Sequence, residues 1–372
     1  MKKTLAALIV LALVGGFSWL LQLVYGAGIT NMNNFVPWGL YIVGFMIFTG
    51  VAAGSLMLTG AAWLFDSLAG YRPYTKIITF LGVFCGLVGA GLFIFVDLGN
   101  PQRGIYMLLS PNLSSPQVWD AGILSLYGLT GSLLMYKLWM VSQGKAVAAD
   151  MKNISRLAIG AGLLVIVTSF AFVLLVSSPA WNNPGEPVSF LFAAVIAALA
   201  VLMLALSHLQ KVAYCAVPEP LVSRMGYVAS LLLALELIFL VGEACIGFYA
   251  PYGEEAETVF WQLTGKGAAF YWAEILAILM GCMALARSKV KAGSWLALLA
   301  VFLIKYNLLQ SQQLNPLLPF AGPFVYNPPA LGVYIPSLPE VGTALGIVAV
   351  ACIMGIIGLV KFKSFFAPRE EV

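Results

Sequence analysis

The chain has 372 residues, 61% of them hydrophobic and 9% charged, with a formal net charge of +4 and a mean hydropathy of +0.96. A soluble domain carries roughly a quarter charged residues, so this composition excludes a soluble globular protein. Spans of about 20 apolar residues fit a hydrocarbon core of roughly 30 Å, and the lack of strand-type alternation excludes a membrane barrel.

On that ruler the sequence predicts an all-α integral membrane protein with about ten helices. They fall near 4–25, 38–65, 75–97, 119–142, 154–178, 188–209, 222–249, 268–286, 292–312 and 341–361. Residues 1–27 imitate a signal peptide, with Lys2-Lys3 before an apolar run. That run exceeds the roughly 7–15 residues of a signal core, so a retained first helix is expected. Helix 2 opens at Asn31-Met-Asn33-Asn34-Phe-Val-Pro37-Trp38-Gly-Leu-Tyr41. Pro37 begins it where a missing N–H costs nothing, and Trp38 and Tyr41 suit a membrane interface. Gly50-x-x-x-Gly54 and, in helix 3, Gly82-x-x-x-Gly86 read as close-packing stripes. Asp66, at the far end of helix 2, is either a solvated end or the start of a proton path.

The connection after helix 3 runs from Asp97 to Asp120, with Arg103, Trp119 and prolines at 101, 111 and 116. Prolines forbid a continuous helix there. Non-helical backbone at that depth survives only against protein or a wet cavity, so the segment reads as one wall of a binding site. Helix 4 adds Tyr127, about two turns below Asp120. Helix 5 is nearly featureless, and the connections Trp181–Glu186 and Tyr252–Glu257 are short and polar. Helix 7 carries Glu236 and Glu243 on one face, helix 8 carries Glu274 and helix 9 carries Lys305. Ionisable groups at such depth are functional candidates by default. They are read either as a buried Glu–Lys tie or as a proton path. The last connection, Gln312 to Pro339, has seven prolines and almost no charge; it is expected to pack as a lid or docking surface.

Lysine and arginine concentrate in alternate connections. The positive-inside rule then places both termini in the cytoplasm and leaves Arg103 and Lys266 outside. The positive net charge is this topology signal and does not point to nucleic acid; the lipid bilayer is the partner it implies. The expected layout is a single membrane domain of two four-helix bundles with flanking helices. Residues 4–25 form a peripheral helix, 38–178 the first bundle, 188–312 the second, and 313–361 the outer loop and last helix.

The chemistry is narrow. The lone histidine, His208, cannot supply the paired ligands of a membrane haem. The five cysteines include no Cys-x-x-Cys pair and build no iron–sulfur cluster. No Walker motif, dinucleotide fingerprint or Ser-His-Asp set is present. What remains is a polar set at the rim of an apolar bundle: Asn33, Trp38, Asp97, Arg103, Trp119 and Asp120, extended inward by Tyr127. Such a set suits an amphipathic ligand with an apolar tail and a proton-exchanging head, as a quinone has. There Arg103 would donate hydrogen bonds and Asp120 would pass protons. Interface anchoring explains Trp38 and Trp119 equally well.

Trp38-Gly-Leu-Tyr-Ile, Gly50-Val-Ala-Ala-Gly54, Asp97-Leu-Gly-Asn-Pro-Gln-Arg103 and Pro111 to Asp120 together resemble the NrfD/PsrC (polysulfide reductase membrane subunit) family. The ten-helix form is similar to its branch with HybB, DsrP and the alternative complex III subunits. Lys305-Tyr-Asn307 to Pro316 is a looser match, with lysine where that family leads one to expect arginine. The resemblance implies a quinone-binding subunit of a respiratory oxidoreductase in the cytoplasmic (inner) membrane, not catalytic alone. Menaquinone or ubiquinone would be its exchangeable substrate. A ferredoxin-like iron–sulfur subunit would dock on the outer face, joined to a molybdopterin, hydrogenase or multihaem cytochrome partner. The quinone head would lie near Trp38, Arg103, Trp119 and Asp120, and Glu236 and Glu243 would help conduct protons. Two rivals stay open: a secondary transporter or ion channel using Glu236, Glu243, Glu274 and Lys305, and an inert membrane anchor.

Overall fold

The computed structural model describes residues 2–32, 36–175, 181–249, 254–314 and 334–367, apart from the side chains of Leu108, Glu254, Glu255, Gln312 and Leu314. Ten helices among them are long and apolar enough to cross a membrane. They are α1 (Lys2–Tyr25), α2 (Leu40–Leu64), α3 (Asp66–Asp97), α4 (Pro116–Ser142) and α5 (Ala148–Val173), followed by α6 (Glu186–Lys211), α7 (Glu219–Tyr249), α8 (Ala268–Ala286), α9 (Val290–Leu314) and α10 (Leu338–Lys361). The chain is an all-helical, multi-pass membrane protein.

Apolar α2 is the axis of the molecule, because its small residues let neighbours approach from several sides. It packs against α3, α5 and α6 and touches α9. The two glycine stripes serve different contacts. Gly50 and Gly54 lie against Ala194 of α6, while Gly82 and Gly86 of α3 lie against Ser55, Ala52 and Phe48 of α2. Helices α6 to α9 pack as a second group, through α6–α7, α7–α8, α8–α9 and α6–α9. Helix α1 pairs with α10, where Gly15 meets Gly346 backbone to backbone.

Several elements depart from the pattern read along the chain. No loop separates α2 from α3: residues Asp66–Tyr74 wind as a 3₁₀ segment into the helix, and a π turn follows at Thr79–Phe84. Helix α5 is interrupted at Leu164 and Ser169. The hydroxyls of Thr168 and Ser169 bond back to the carbonyls of Val165 and Ile166, each at 2.7 Å, a habit that bends helices. The polar stretch expected as a short connection near residue 254 begins a helix, Glu254–Leu263. Within the long connection, Pro101–Ile105 and Tyr106–Leu109 also form short helices.

Hydrogen bonds show which helix ends share a face. Asn31 Nδ2 donates to the Ile335 carbonyl (2.9 Å), Trp38 N–H donates to Gln313 Oε1 (3.0 Å) and Asn183 Nδ2 donates to Glu243 Oε1 (2.5 Å). The starts of α2, α6 and α10 and the ends of α7 and α9 therefore lie together. The Asp97–Asp120 connection belongs to this same end, called the loop face below.

Candidate functional site

A cavity of about 700 Å³ opens at the loop face between α2, α3, α4, α5, α6 and α9. Its inner wall is apolar, from Ile42, Phe45 and Met46 to Leu124, Phe172 and Phe190, while Asp97, Asn100, Arg103, Gln117 and Asp120 bring polar groups to its wall. Helix termini put the two acids there: Asp97 ends α3 and Asp120 lies in the first turns of α4. Ser115 and Pro116 start α4 with the extended-then-helical geometry that proline at N1 favours. The Asp97 Oδ1 atom is buried and has no hydrogen-bond partner among the described residues. A buried, unsatisfied acceptor costs free energy, and here it belongs to a residue of the cavity wall. Size, apolar walls and few polar groups are what a small-molecule site needs.

Trp38 forms part of this wall and is held from three sides. Its ring stacks on Trp181 at 5.4 Å and meets Phe172 edge-on at 5.5 Å. Its carbonyl accepts from Gln313 Nε2 (2.9 Å) and Gln310 Nε2 (3.2 Å) of α9. Two residues on, the first N–H of α2 lacks a cap of its own, since Gly39 has no side chain. Glu340 supplies one from α10: its Oε1 accepts from Leu40 N–H (2.7 Å) and from Tyr334 O–H (2.5 Å). A carboxyl at a helix N-terminus is favourable. Burial, then the charge of Glu340, holds the Tyr334 phenol above its ordinary range and keeps it a donor. A Cβ on Gly39 would collide with Glu340 Oε1, Tyr334 Oη and Met32 Sδ. Gly39→Ala is therefore expected to displace the cap and cost about 1 kcal/mol or more, read as a lower thermal midpoint in detergent; Glu340→Ala should match it, and the double variant should add little.

A second, smaller pocket of about 60 Å³ lies among α6, α7, α8 and α9, under the Glu254–Leu263 helix. Glu186, Glu236, Glu243 and Glu274 line it, with Ser189, Gln262, Asn307 and Ser311. Asn307 Nδ2 donates to Glu274 Oε2 at 2.6 Å. Glu236 is 4% exposed and its Oε1 has no partner among the described residues. The volume admits a few water molecules.

The structure gathers Trp38, Asp97, Arg103 and Asp120 around the large cavity, with Arg103 exposed at the surface. Trp119 stands apart: its indole N–H closes the loop onto the Leu113 carbonyl at 2.8 Å, and it does not line the cavity. Tyr127 is fully buried in the core beneath, its hydroxyl without a hydrogen-bond partner among the described residues. Asn33 lies outside the described residues, as does most of the long connection after α9. Asp66 sits at the opposite end of the molecule, its side chain 98% exposed and paired with Arg72 at 2.8 Å. Glu236, Glu243 and Glu274 converge on the small pocket, while Lys305 lines the large one.

Sequence reasoning passed over Glu186, Glu340, Asn183, Asn307, Gln310 and Gln313. Glu186 was legible only as the end of a polar loop, yet it opens α6 and is buried. The glutamines and Asn307 had a visible signal, five amides or hydroxyls from Asn307 to Gln313 in the last turns of an apolar helix. Among the described residues no group of three or more His, Cys, Asp or Glu is placed to hold a metal ion.

Comparison with known proteins gives a consistent picture. Residues 28–316 match the family model described as polysulphide reductase, NrfD. A putative dimethyl sulfoxide reductase membrane subunit of Halobacterium salinarum is 28% identical over 297 residues, covering 71% of this chain and 67% of that protein. A selenate reductase subunit of Mesobacillus selenatarsenatis is 22% identical over 300 residues, covering 70% and 69%. The Hdr-like menaquinol oxidoreductase integral membrane subunit of Archaeoglobus fulgidus is 23% identical over 280 residues, covering 74% and 68%.

Proposed function

Since the chain belongs to the polysulphide reductase NrfD family and is a membrane subunit of an oxidoreductase, we propose that its large cavity is a quinone site, through which a respiratory complex exchanges electrons with the membrane pool. The observation that carries this reading is the cavity itself: about 700 Å³, apolar within, with Asp97 and Asp120 on its wall. Quinone reduction or hydroquinone oxidation moves two protons with two electrons, so a bound carrier needs groups that both accept and release protons. Asp97 and Asp120 bring carboxyls to the wall, and Arg103 can donate to a carbonyl. The apolar wall formed by Ile42, Phe45, Leu124 and Phe172 suits a ring and the start of an isoprenoid tail. The likeness to a relative named as a menaquinol oxidoreductase subunit supports a quinone and favours menaquinone over ubiquinone.

Electrons pass between the carrier and a docked subunit, a reading supported by relatives named as subunits of reductases. The family's placement favours a ferredoxin-like iron–sulfur protein over the loop face, followed by a catalytic subunit of the molybdopterin, hydrogenase or multihaem kind. That face would be extracytoplasmic, as the positive-inside rule orients it. Glu236, Glu243, Glu274 and Lys305 supply the candidate proton path; Asp66, exposed and paired at the far end, stands apart from it. The transporter reading gains nothing from the acid-bearing helices. They run unbroken past the acids, whereas transport sites favour discontinuous helices.

The test is direct binding. A short-chain naphthoquinone titrated into the purified complex should quench tryptophan emission saturably, since Trp38 lines the cavity and Trp181 stacks on it. Gly91 lines the cavity, and a side chain there meets open space. Gly91→Leu should fill part of the site without disturbing the fold, raising Kd about 10-fold or more, the worth of roughly 1.4 kcal/mol. Unchanged affinity in that variant would place the carrier elsewhere.

A further inference from the structure

Lys305 stands between the two spaces. Its side chain lines the large cavity, yet the carboxyls that act on it electrostatically, Glu186, Glu236 and Glu274, line the small pocket. One stretch of α6 is the partition: Phe190 faces the cavity and Ser189 the pocket. Lys305 is 3% exposed and its Nζ sits 3.4 Å from the centre of the Phe190 ring. Among the described residues no hydrogen-bond partner reaches that amine, and Glu236 Oε1 also lacks one. A structural tie would close the amine onto a carboxylate, because a buried charge is stabilised only when paired and hydrogen-bonded. Here the amine lies on the cavity side and the acids line a small space with room for water on the other side of the partition.

We propose that Lys305 is a proton relay between the carrier cavity and the acid pocket, and that the relay leads back to the loop face. This rests on the quinone reading above. When a hydroquinone is oxidised in the cavity, two O–H bonds break. Two electrons leave one after the other through the iron–sulfur acceptor, which passes on the first before taking the second, and two protons must be taken by bases. The mouth carboxyls of Asp97 and Asp120 serve one. The neutral Lys305 amine takes the other and, as ammonium, passes it to Glu186 or Glu236 and on to Glu243. In reduction the same groups run in reverse.

The route's direction follows from where charge stops. Glu186 opens α6, Glu243 lies near the end of α7, Glu274 near the start of α8, and Lys305 about two and a half turns before the end of α9, all toward the loop face. Gln262 and Asn183 complete the path there. Toward the other face the sequence has no acid, lysine, arginine or histidine on α6 between Glu186 and His208, on α7 between Arg224 and Glu236, on α8 between Glu274 and Arg287, or on α9 between Lys291 and Lys305. Those stretches pack as one apolar core, with Ile196, Met203, Leu233, Ile278 and Ala300 fully buried or nearly so. The carrier's protons are thus exchanged on one side of the membrane and do not cross it.

The test uses the whole complex in vesicles, with hydroquinone as donor and a pH-sensitive dye on each side in turn. Arginine stays protonated at every accessible pH, so Lys305→Arg fixes a positive charge at this position and can neither accept nor release a proton. Lys305→Met keeps the apolar bulk. Both variants are expected to lose about 10²-fold in turnover at saturating hydroquinone; Glu236→Gln, a second and milder variant at a residue outside the carrier cavity, should also lower turnover while naphthoquinone binding stays near wild type. In the wild type, two protons per two electrons should appear at the loop face and none be taken up at the other. Wild-type turnover in Lys305→Arg would make the residue a fixed charge and overturn the relay. Proton uptake from the opposite face would overturn its direction and point to the hydroxyl row Thr59, Thr79 and Thr75. Absence of quinone binding in the wild-type complex would instead remove the carrier reading, and the relay with it.

Discussion

Asp97→Asn is expected to reduce hydroquinone turnover by about 10² to 10⁴-fold, the usual worth of a positioned acid–base group, while leaving carrier binding nearly intact. The side chain ends α3 at the cavity wall, and its Oδ1 is buried with nothing to accept from among the described residues. Asparagine has the same shape and can still bond a carbonyl or hydroxyl, but it cannot take a proton. The effect should therefore fall on kcat and not on KM. Asp120→Asn should act in the same direction, since that carboxyl lines the same cavity. Arg103→Ala belongs to a different class: an exposed side chain near the mouth should alter affinity more than rate. Turnover of the purified complex, measured beside the naphthoquinone titration, separates the three. Rates within twofold of wild type in both aspartate variants would leave the inert-anchor reading standing.

The second large effect is structural. Gly54→Ala is expected to destabilise the protein by about 1–3 kcal/mol, and Gly54→Leu to abolish recovery of folded chain. A Cβ at Gly54 would overlap the Ala194 carbonyl oxygen of α6, and it would also crowd the Ala198 methyl. The obstacle is backbone, so no side-chain rotation can relieve it. Forcing the helices apart would also open the cavity, because Gly50, Ala193 and Ala194 are part of its wall. Gly160→Ala is the control. Its Cβ meets nothing within 4 Å, and its thermal midpoint in detergent should equal wild type. A midpoint for Gly54→Ala equal to that of the control would show the α2–α6 crossing to be looser than drawn.

Much of the architecture could be read along the chain because a membrane leaves little freedom. Every backbone polar group must be satisfied inside its own segment, so a run of apolar residues of the right length is already a helix. Ten such runs placed ten helices to within a few residues, except that a 3₁₀ segment extended α3 back to Asp66 and α5 lies five to six residues earlier than expected. Part of the candidate site's wall was legible for the same reason. Trp38, Asp97, Arg103 and Asp120 are polar residues at helix ends in an apolar chain, and those ends meet at one cavity. Trp119 shared their composition but turned to cap its own loop. Local composition does not fix a rotamer.

By itself the sequence determined which segments cross the membrane, the small residues that let them touch, and the short list of ionisable groups within them. These follow from hydropathy and steric size, which act residue by residue. Only the tertiary structure decided which helices enclose a common space. It set Gly54 against α6 and not α3, drew Glu186 from a polar loop into an acid pocket, made Glu340 the cap of a helix 300 residues away in the chain, and stood Lys305 between two cavities. In lipid the apolar surfaces of different helices are nearly interchangeable, so the partners are chosen by close fit and by the few polar groups that must be satisfied at once.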